Sequence, residues 1–165
     1  MSTEFEIRPA TESDLPAIAN LHARAFGPGR FARTAYRVRE GQPDVTPNSR
    51  AAFLNGALVA ALHATPVTIG GTSRALLIGP VAVEPAEKGR KYGQRLIAQA
   101  LEDAAADGFR IALLVGDQPY YGRFGFAPVP PGKILMPGPV DPHRLLAREL
   151  IEGALAEFSG LVAAT

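Results

Sequence analysis

The stretch from Ile78 to Phe126 leaves the chain few ways to fold. It reads IGPVAVEPAEKGRKYGQRLIAQALEDAAADGFRIALLVGDQPYYGRFGF. An apolar strand, Leu76 to Val83, runs through Glu84-Pro85 into a turn carrying Lys88, Gly89, Arg90, Lys91, Tyr92 and Gly93. A helix follows from about Gly93 to Asp107, with Leu96, Ile97, Ala100, Leu101 and Ala104 on one face and Gly108 as its stop. Ile111 to Val115 is then a continuous apolar run of strand length, suited to a sheet covered on both faces. The turn has a chemistry of its own. A helix start leaves backbone N–H groups without intrahelical partners, and the helix dipole adds partial positive charge. Glycines let a ligand approach the backbone, and three cationic side chains add full charges, so the turn suits a pyrophosphate. Taken by itself, the same turn also reads as a solvated basic loop.

The segment resembles the acetyl-CoA-binding core of the GNAT N-acetyltransferase superfamily, within it the YhbS-like branch. Lys88, Lys91 and Gly93 fall on the family's Gln/Arg-x-x-Gly-x-Gly/Ala signature, and only Gly93 matches strictly. Lys88 keeps a long polar donor. Lys91 replaces a glycine and fits without strain if its φ is negative, as in a helix first turn. YYGRFGF resembles the family's Phe-Tyr-x-x-x-Gly-Phe element, with Tyr121 at the tyrosine and Gly125-Phe126 at the close. LIGPVAVEP and LLVGD are close to the YhbS-like pattern, and weaker similarity runs from FEIRPATESDLPAI to MPGPVDPHRLLARELIEGAL.

The resemblance implies an α/β fold, a central, mostly antiparallel mixed sheet flanked by helices, with a splayed strand pair that binds CoA. It implies that Val81, Ala82 and Val83 offer backbone groups to pantetheine, and that one amide polarises the thioester carbonyl. Lys88, Gly89, Arg90, Lys91, Tyr92, Gly93 and Gln94 would hold the pyrophosphate. Tyr121 would face the CoA sulfur and protonate the departing thiolate. Phe124 would line the cofactor side, although it also reads as packing beside Tyr120 and Phe126. Asp117 would fix the cofactor side of its turn or make an Asx turn. Glu84 and His63 are the candidate bases; the alternatives are a solvated carboxylate and a satisfied sheet histidine. Three dispersed histidines make no metal site, and none is expected.

Elsewhere, Phe5-Glu6-Ile7 begins a first strand that ends at Arg8-Pro9. Thr11 or Ser13 caps a helix with Leu15, Ile18, Leu21 and Ala25 at helical spacing, stopped by Gly27-Pro28-Gly29. A second short helix is expected over Phe31 to Arg39. Arg50 to Asn55 and Ala57 to Ile69 read as a hairpin, followed by Gly70-Gly71 and a third meander strand, Arg74 to Val83. Gln118 to Arg123 can form only a short helix. Ile134 to Met136 reads as a strand, Pro142 to Leu155 as a helix capped by Asp141, and Gly160 to Ala164 as a last strand. Gly79-Pro80 is consistent with a bulge, because proline cannot donate to a ladder.

With 165 residues and no internal linker or repeat, one domain over 1–165 is expected. A net charge of +1 gives no reason to expect nucleic acid or an anionic membrane as a partner. The chain has no Cys, which excludes a thiolate nucleophile and a disulfide framework. Nothing at the amino end resembles a signal peptide and no apolar run has membrane-spanning length, so a cytoplasmic location is expected. The expected activity is acetyl transfer from acetyl-CoA to a primary amine, on a small molecule or a protein, by direct attack in a ternary complex. The alternatives are a non-catalytic acyl-CoA sensor of the same fold and an enzyme with another acyl donor. A monomer or homodimer is expected, and the acceptor is not legible.

Overall fold

The computed structural model describes residues 4–26, 43–87 and 89–165. The short helix expected over Phe31 to Arg39, the Gly27-Pro28-Gly29 stop and Lys88 lie outside them. Strand β1 (Phe5–Pro9) is followed by helix α1 (Leu15–Phe26) and by an antiparallel meander of β2 (Arg50–Leu54), β3 (Ala57–Ile69) and β4 (Thr72–Val83). Asn55 and Gly56, both at positive φ, turn β2 into β3, the conformation that a tight hairpin of matching twist requires. Helix α2 (Tyr92–Ala106) then carries the chain over to β5 (Ile111–Val115), which enters the sheet parallel to β4.

After β5 come a four-residue helix α3 (Gln118–Tyr121), the short strands β6 (Ala127–Pro128) and β7 (Ile134–Leu135), β8 (Leu145–Glu149) and β9 (Gly160–Ala164). The hydrogen-bonded order is β1-β2-β3-β4-β5-β8-β6. Strand β9 adds to the far end of β3, and β7 pairs with β9. The fold is therefore the mixed α/β sheet that the sequence implied.

One element departs from expectation. Pro142 to Leu155 is not a helix: Leu145–Glu149 is a strand, antiparallel to β5 from Val115↔Leu145 to Ile111↔Glu149. Helical propensity in LLARE yields to pairing along β5, which satisfies five residues of backbone. It also buries Leu145 and Ala147 on one face and Leu146 on the other. Asp141 still bonds locally, its Oδ1 accepting the His143 N–H at 2.9 Å, but it closes a turn rather than a helix.

The sheet is covered on both faces. The stripe Leu96, Ile97, Ala100, Leu101 and Ala104 of α2 packs on Leu62, Leu76, Ile78, Ala112, Leu114 and Leu146. On the opposite face Leu21 of α1 is sealed against Ala61 and Ala82, and Phe158 with Val162 covers Leu77, Ile111 and Leu113. Strand β9 arrives in unusually close contact. A Cβ on Gly70 would fall 2.0 Å from the Ser159 carbonyl oxygen, and one on Gly160 would fall 2.8 Å from the Gly70 Cα.

The entry to α1 is held by charge. Arg8 donates from Nη1 and Nη2 to the two oxygens of Asp14, at 2.9 Å and 3.0 Å, and the Asp14 carboxylate also accepts the Thr11 N–H at 2.8 Å. Thr11 opens the short turn, as the sequence suggested, and its hydroxyl also donates to the Asp14 carboxylate at 3.1 Å. The hydrogen bond from Arg8 holds the Asp14 carboxyl at about 2, below its ordinary 3.8, against the opposing effect of burial. A depressed carboxyl contributes stability that is fully present above its unfolded value and is lost as pH falls through its folded value. Asp14→Asn should therefore cost about 1 kcal/mol at neutral pH. Its stability should also fall less than that of the parent between about pH 4 and pH 2. Denaturant midpoints across that range measure both, and parallel curves would refute the linkage.

Candidate active site

The sheet opens where β4 leaves β5. The pair is bonded only over Ala75↔Ile111, Leu76↔Ala112 and Leu77↔Leu113. Beyond that point β4 continues with β3 to Val83, while Leu114 and Val115 stay with β8. A bulge accompanies the parting: Leu62 faces Val81 and Ala64 faces Ile78, so Gly79 and Pro80 together oppose His63. The extra residue reverses the side-chain alternation. Before it, Leu76 and Ile78 face α2; after it, Val81 and Val83 do, and Ala82 faces α1.

The same shift decides which amides are open. Glu84 N–H donates to the Val59 oxygen at 2.8 Å, so residues 82 and 84 bond toward β3. The alternation turns the amides of Val81 and Val83 into the gap. Among the three residues singled out in the sequence, Val81 and Val83 turn their amides toward the gap. Ala82 is paired with Ala61, and its side chain is buried under α1.

The helix start lies against this gap. The first intrahelical bond of α2 runs from Arg95 N–H to the Lys91 oxygen at 3.1 Å, and the amides of residues 91–94 donate to no backbone carbonyl among the described residues. Among the described residues, the amides of Gly93 and Gln94 thus stand as open donors at the helix start. A Cβ on Gly93 would sit 2.7 Å from Val83 Cγ2, so α2 reaches β4 only because residue 93 lacks a side chain. Gly89 turns the chain at φ +91. Lys91 departs from expectation, for its φ is +65, in the left-handed region that favours glycine. Arg90 is partly neutralised by Glu87, whose carboxylate lies 3.3 Å from its Nε. The Tyr92 ring is buried and stacks on Phe5 at 4.9 Å.

The YYGRFGF element closes the gap from the β5 side. Tyr121 lies directly on Gly116, where a Cβ would fall 2.5 Å from Cε2 of the ring. Gly116 is the positioning residue that the sequence did not reveal, and the LLVGD run held the only sign of it. Tyr120, expected only to pack, also reaches across. Its hydroxyl is 3.8 Å from the Cβ position of Gly93 and has no hydrogen-bond partner among the described residues. Burial pushes its phenol above the ordinary 10.0, and the charge of Arg123 offsets this only in part, so Tyr120 remains a proton donor at neutral pH. Phe124 packs edge-on against Tyr120 with centroids 6.0 Å apart, and its carbonyl accepts from Arg148. Asp117 closes α3 with its backbone oxygen, which accepts the Tyr121 N–H at 2.9 Å, and makes no side-chain cap.

The two candidate bases have separate fates. Glu84 stands at the end of β4, beside the Val83 amide, with Arg24 on its carboxylate. His63 is buried, and its Nδ1 lies 3.2 Å from Ser49 Oγ, in a knot that fastens the loop before β2 onto Ala64 of β3. The His63 ring is thus buried in the sheet, on the loop-fastening contact with Ser49. Among the described residues no group of three or more His, Asp or Glu could hold a metal ion, and no helix is long and apolar enough to cross a membrane.

Residues 6–129 match the family described as Acetyltransferase (GNAT) domain. Over 127 residues the chain is 28% identical to the uncharacterized N-acetyltransferase YjhQ of Escherichia coli, an alignment that spans 75% of this chain and 70% of that protein. The fold is similar to that of the GNAT-family N-acetyltransferase YhbS of Escherichia coli, solved in complex with CoA: TM-score 0.79 and 22% identity, covering 100% of this chain and 92% of the other. A GNAT-family acetyltransferase from Brucella melitensis, solved with acetyl-CoA, has a TM-score of 0.64 and 28% identity, covering 92% and 97% respectively.

The contact between Gly93 and Val83 yields a test. Gly93→Ala should raise the CoA dissociation constant at least about tenfold, roughly 1.4 kcal/mol. Val83→Ala, which removes the opposing methyl group, should restore most of the loss in the double variant. Calorimetric titration of CoA into the three proteins measures this, and additive losses would show that the contact does not set the position of α2.

Proposed function

The chain belongs to the GNAT acetyltransferase family, and we propose that it moves an acetyl group from acetyl-CoA to a primary amine in a single ternary complex. The observation that carries this reading is the parting of β4 and β5 beside a helix start with open amides. Pantetheine fits along Val81 and Val83, and the pyrophosphate fits on the amides of residues 91–94, with Lys88, Arg90 and Lys91 supplying charge. The Brucella relative, solved with acetyl-CoA, supports the same donor here.

The reaction follows from the groups around the gap. The amine nitrogen attacks the thioester carbonyl carbon, and the Val83 amide stabilises the oxyanion of the tetrahedral intermediate. The carbon–sulfur bond then breaks. The thiolate leaves with a proton from Tyr121, whose ring is seated on Gly116. The amine loses its own proton to Glu84, directly or through water. With no cysteine in the chain, an acyl-cysteine intermediate has no place in the scheme. The acceptor is a small amine or a protein amine.

Amine-dependent thiol release, followed over a panel of primary amines with acetyl-CoA, tests the reading. The rate with a good acceptor should rise with pH, because free alkyl amines titrate near 10.4 and only the neutral form attacks. Tight CoA binding with no release above hydrolysis would instead favour a sensor. Tyr121→Phe should lower turnover on the order of a hundredfold while leaving acetyl-CoA binding nearly unchanged. Steady-state kinetics beside calorimetric binding separates the two effects, and unchanged turnover would remove Tyr121 from the mechanism.

A further inference from the structure

The end of α1 and the end of β4 are joined by one ion pair. Arg24, in the last turn of α1, donates from Nε at 2.9 Å and from Nη2 at 2.6 Å to the same carboxylate oxygen, Oε2 of Glu84. The other oxygen, Oε1, has no hydrogen-bond partner among the described residues. Glu84 is fixed from its backbone as well, since its N–H donates to the Val59 oxygen. The residue before it, Val83, turns its amide into the gap. Arg24 itself is anchored through α1, where Leu21, three residues earlier, is fully buried against Ala61 and Ala82. A carboxylate at the rim of the gap is thus held through Oε2, with Oε1 unbonded among the described residues.

We infer that Arg24 is the positioning residue for Glu84: it ties down Oε2 so that Oε1 is presented to the attacking amine. The inference rests on the assignment of Glu84 as the group that takes the amine proton. A free glutamate at a strand end samples several rotamers, and most would aim its carboxylate elsewhere. Two donors on one oxygen select among those rotamers without occupying the lone pairs of the second oxygen. The competing account is a plain tether: Arg24 suits the C-terminal end of a helix dipole, and the pair joins two elements sixty residues apart in sequence.

Charge reversal separates the accounts. Thiol release from acetyl-CoA is measured with 2-phenylethylamine and with the most active amine of the panel, alongside thermal unfolding. Arg24→Ala should lower kcat about tenfold or more with the KM for acetyl-CoA unchanged, because misplacing a reacting group costs rate rather than donor affinity. Arg24→Lys should recover part of that loss. The reversed pair, Arg24→Glu with Glu84→Arg, should restore the unfolding temperature but not kcat. Recovery of kcat in the reversed pair would overturn the inference, since a tether alone would then suffice. Full kcat in Arg24→Ala, with kcat lost in Glu84→Gln, would overturn it while leaving Glu84 as the base. Full kcat in Glu84→Gln would remove the base assignment and the inference together, as would the absence of amine-dependent release with every amine.

Discussion

Strands that separate within a sheet give up hydrogen bonds on their inner edges, and buried amides without partners are costly. Here the separation follows the pairing of Leu77 with Leu113, and the bulge at Gly79-Pro80 governs which groups bear its consequences. Without the extra residue, Ala82 rather than Val81 and Val83 would turn toward α2. The valine methyl that meets Gly93 and the amides that open into the gap would then both belong to other residues. Ligand access and helix seating therefore depend on one local irregularity.

Charge at the site is local rather than general. A net charge of +1 spread over the chain gives no broad field, so attraction for an anionic ligand must come from the turn and the helix start. Even there Arg90 leans on Glu87, while Lys91 forms no ion pair among the described residues. Holding Lys91 at φ +65 costs on the order of 1 kcal/mol relative to glycine, a strain that the chain keeps at the start of α2.

Much of this arrangement was legible in the residues, because periodicity and punctuation survive folding. The meander, α2 with its stripe from Leu96 to Ala104, and the buried run Ile111 to Val115 each show in the sequence the pattern that packing later uses. The misreadings share a cause, in that each concerns a residue whose state is set by a distant neighbour. Leu145–Glu149 is a strand because β5 offers an edge. Lys91 is left-handed because the chain must turn sharply before α2 is stopped against Val83. Gly116 matters because a tyrosine five residues later lies on it, and Tyr120 because its hydroxyl spans to a helix nearly thirty residues back. None of these relations has a sequence period.

Strand β3 is edged by two segments from opposite ends of the chain: β2 runs along its first half, and β9 pairs with Val67, Thr68 and Ile69. The glycine contact at Gly70 and Gly160 lets β9 lie that close. Because β9 follows the other described strands in chain order, a sheet assembled from the earlier ones leaves the far edge of β3 bare until β9 docks. During that interval the nascent chain carries unpaired amides and carbonyls beside the apolar residues Val67 and Ile69, the kind of edge that recruits other chains. Docking of β9 is thus the step that withdraws this edge from other chains.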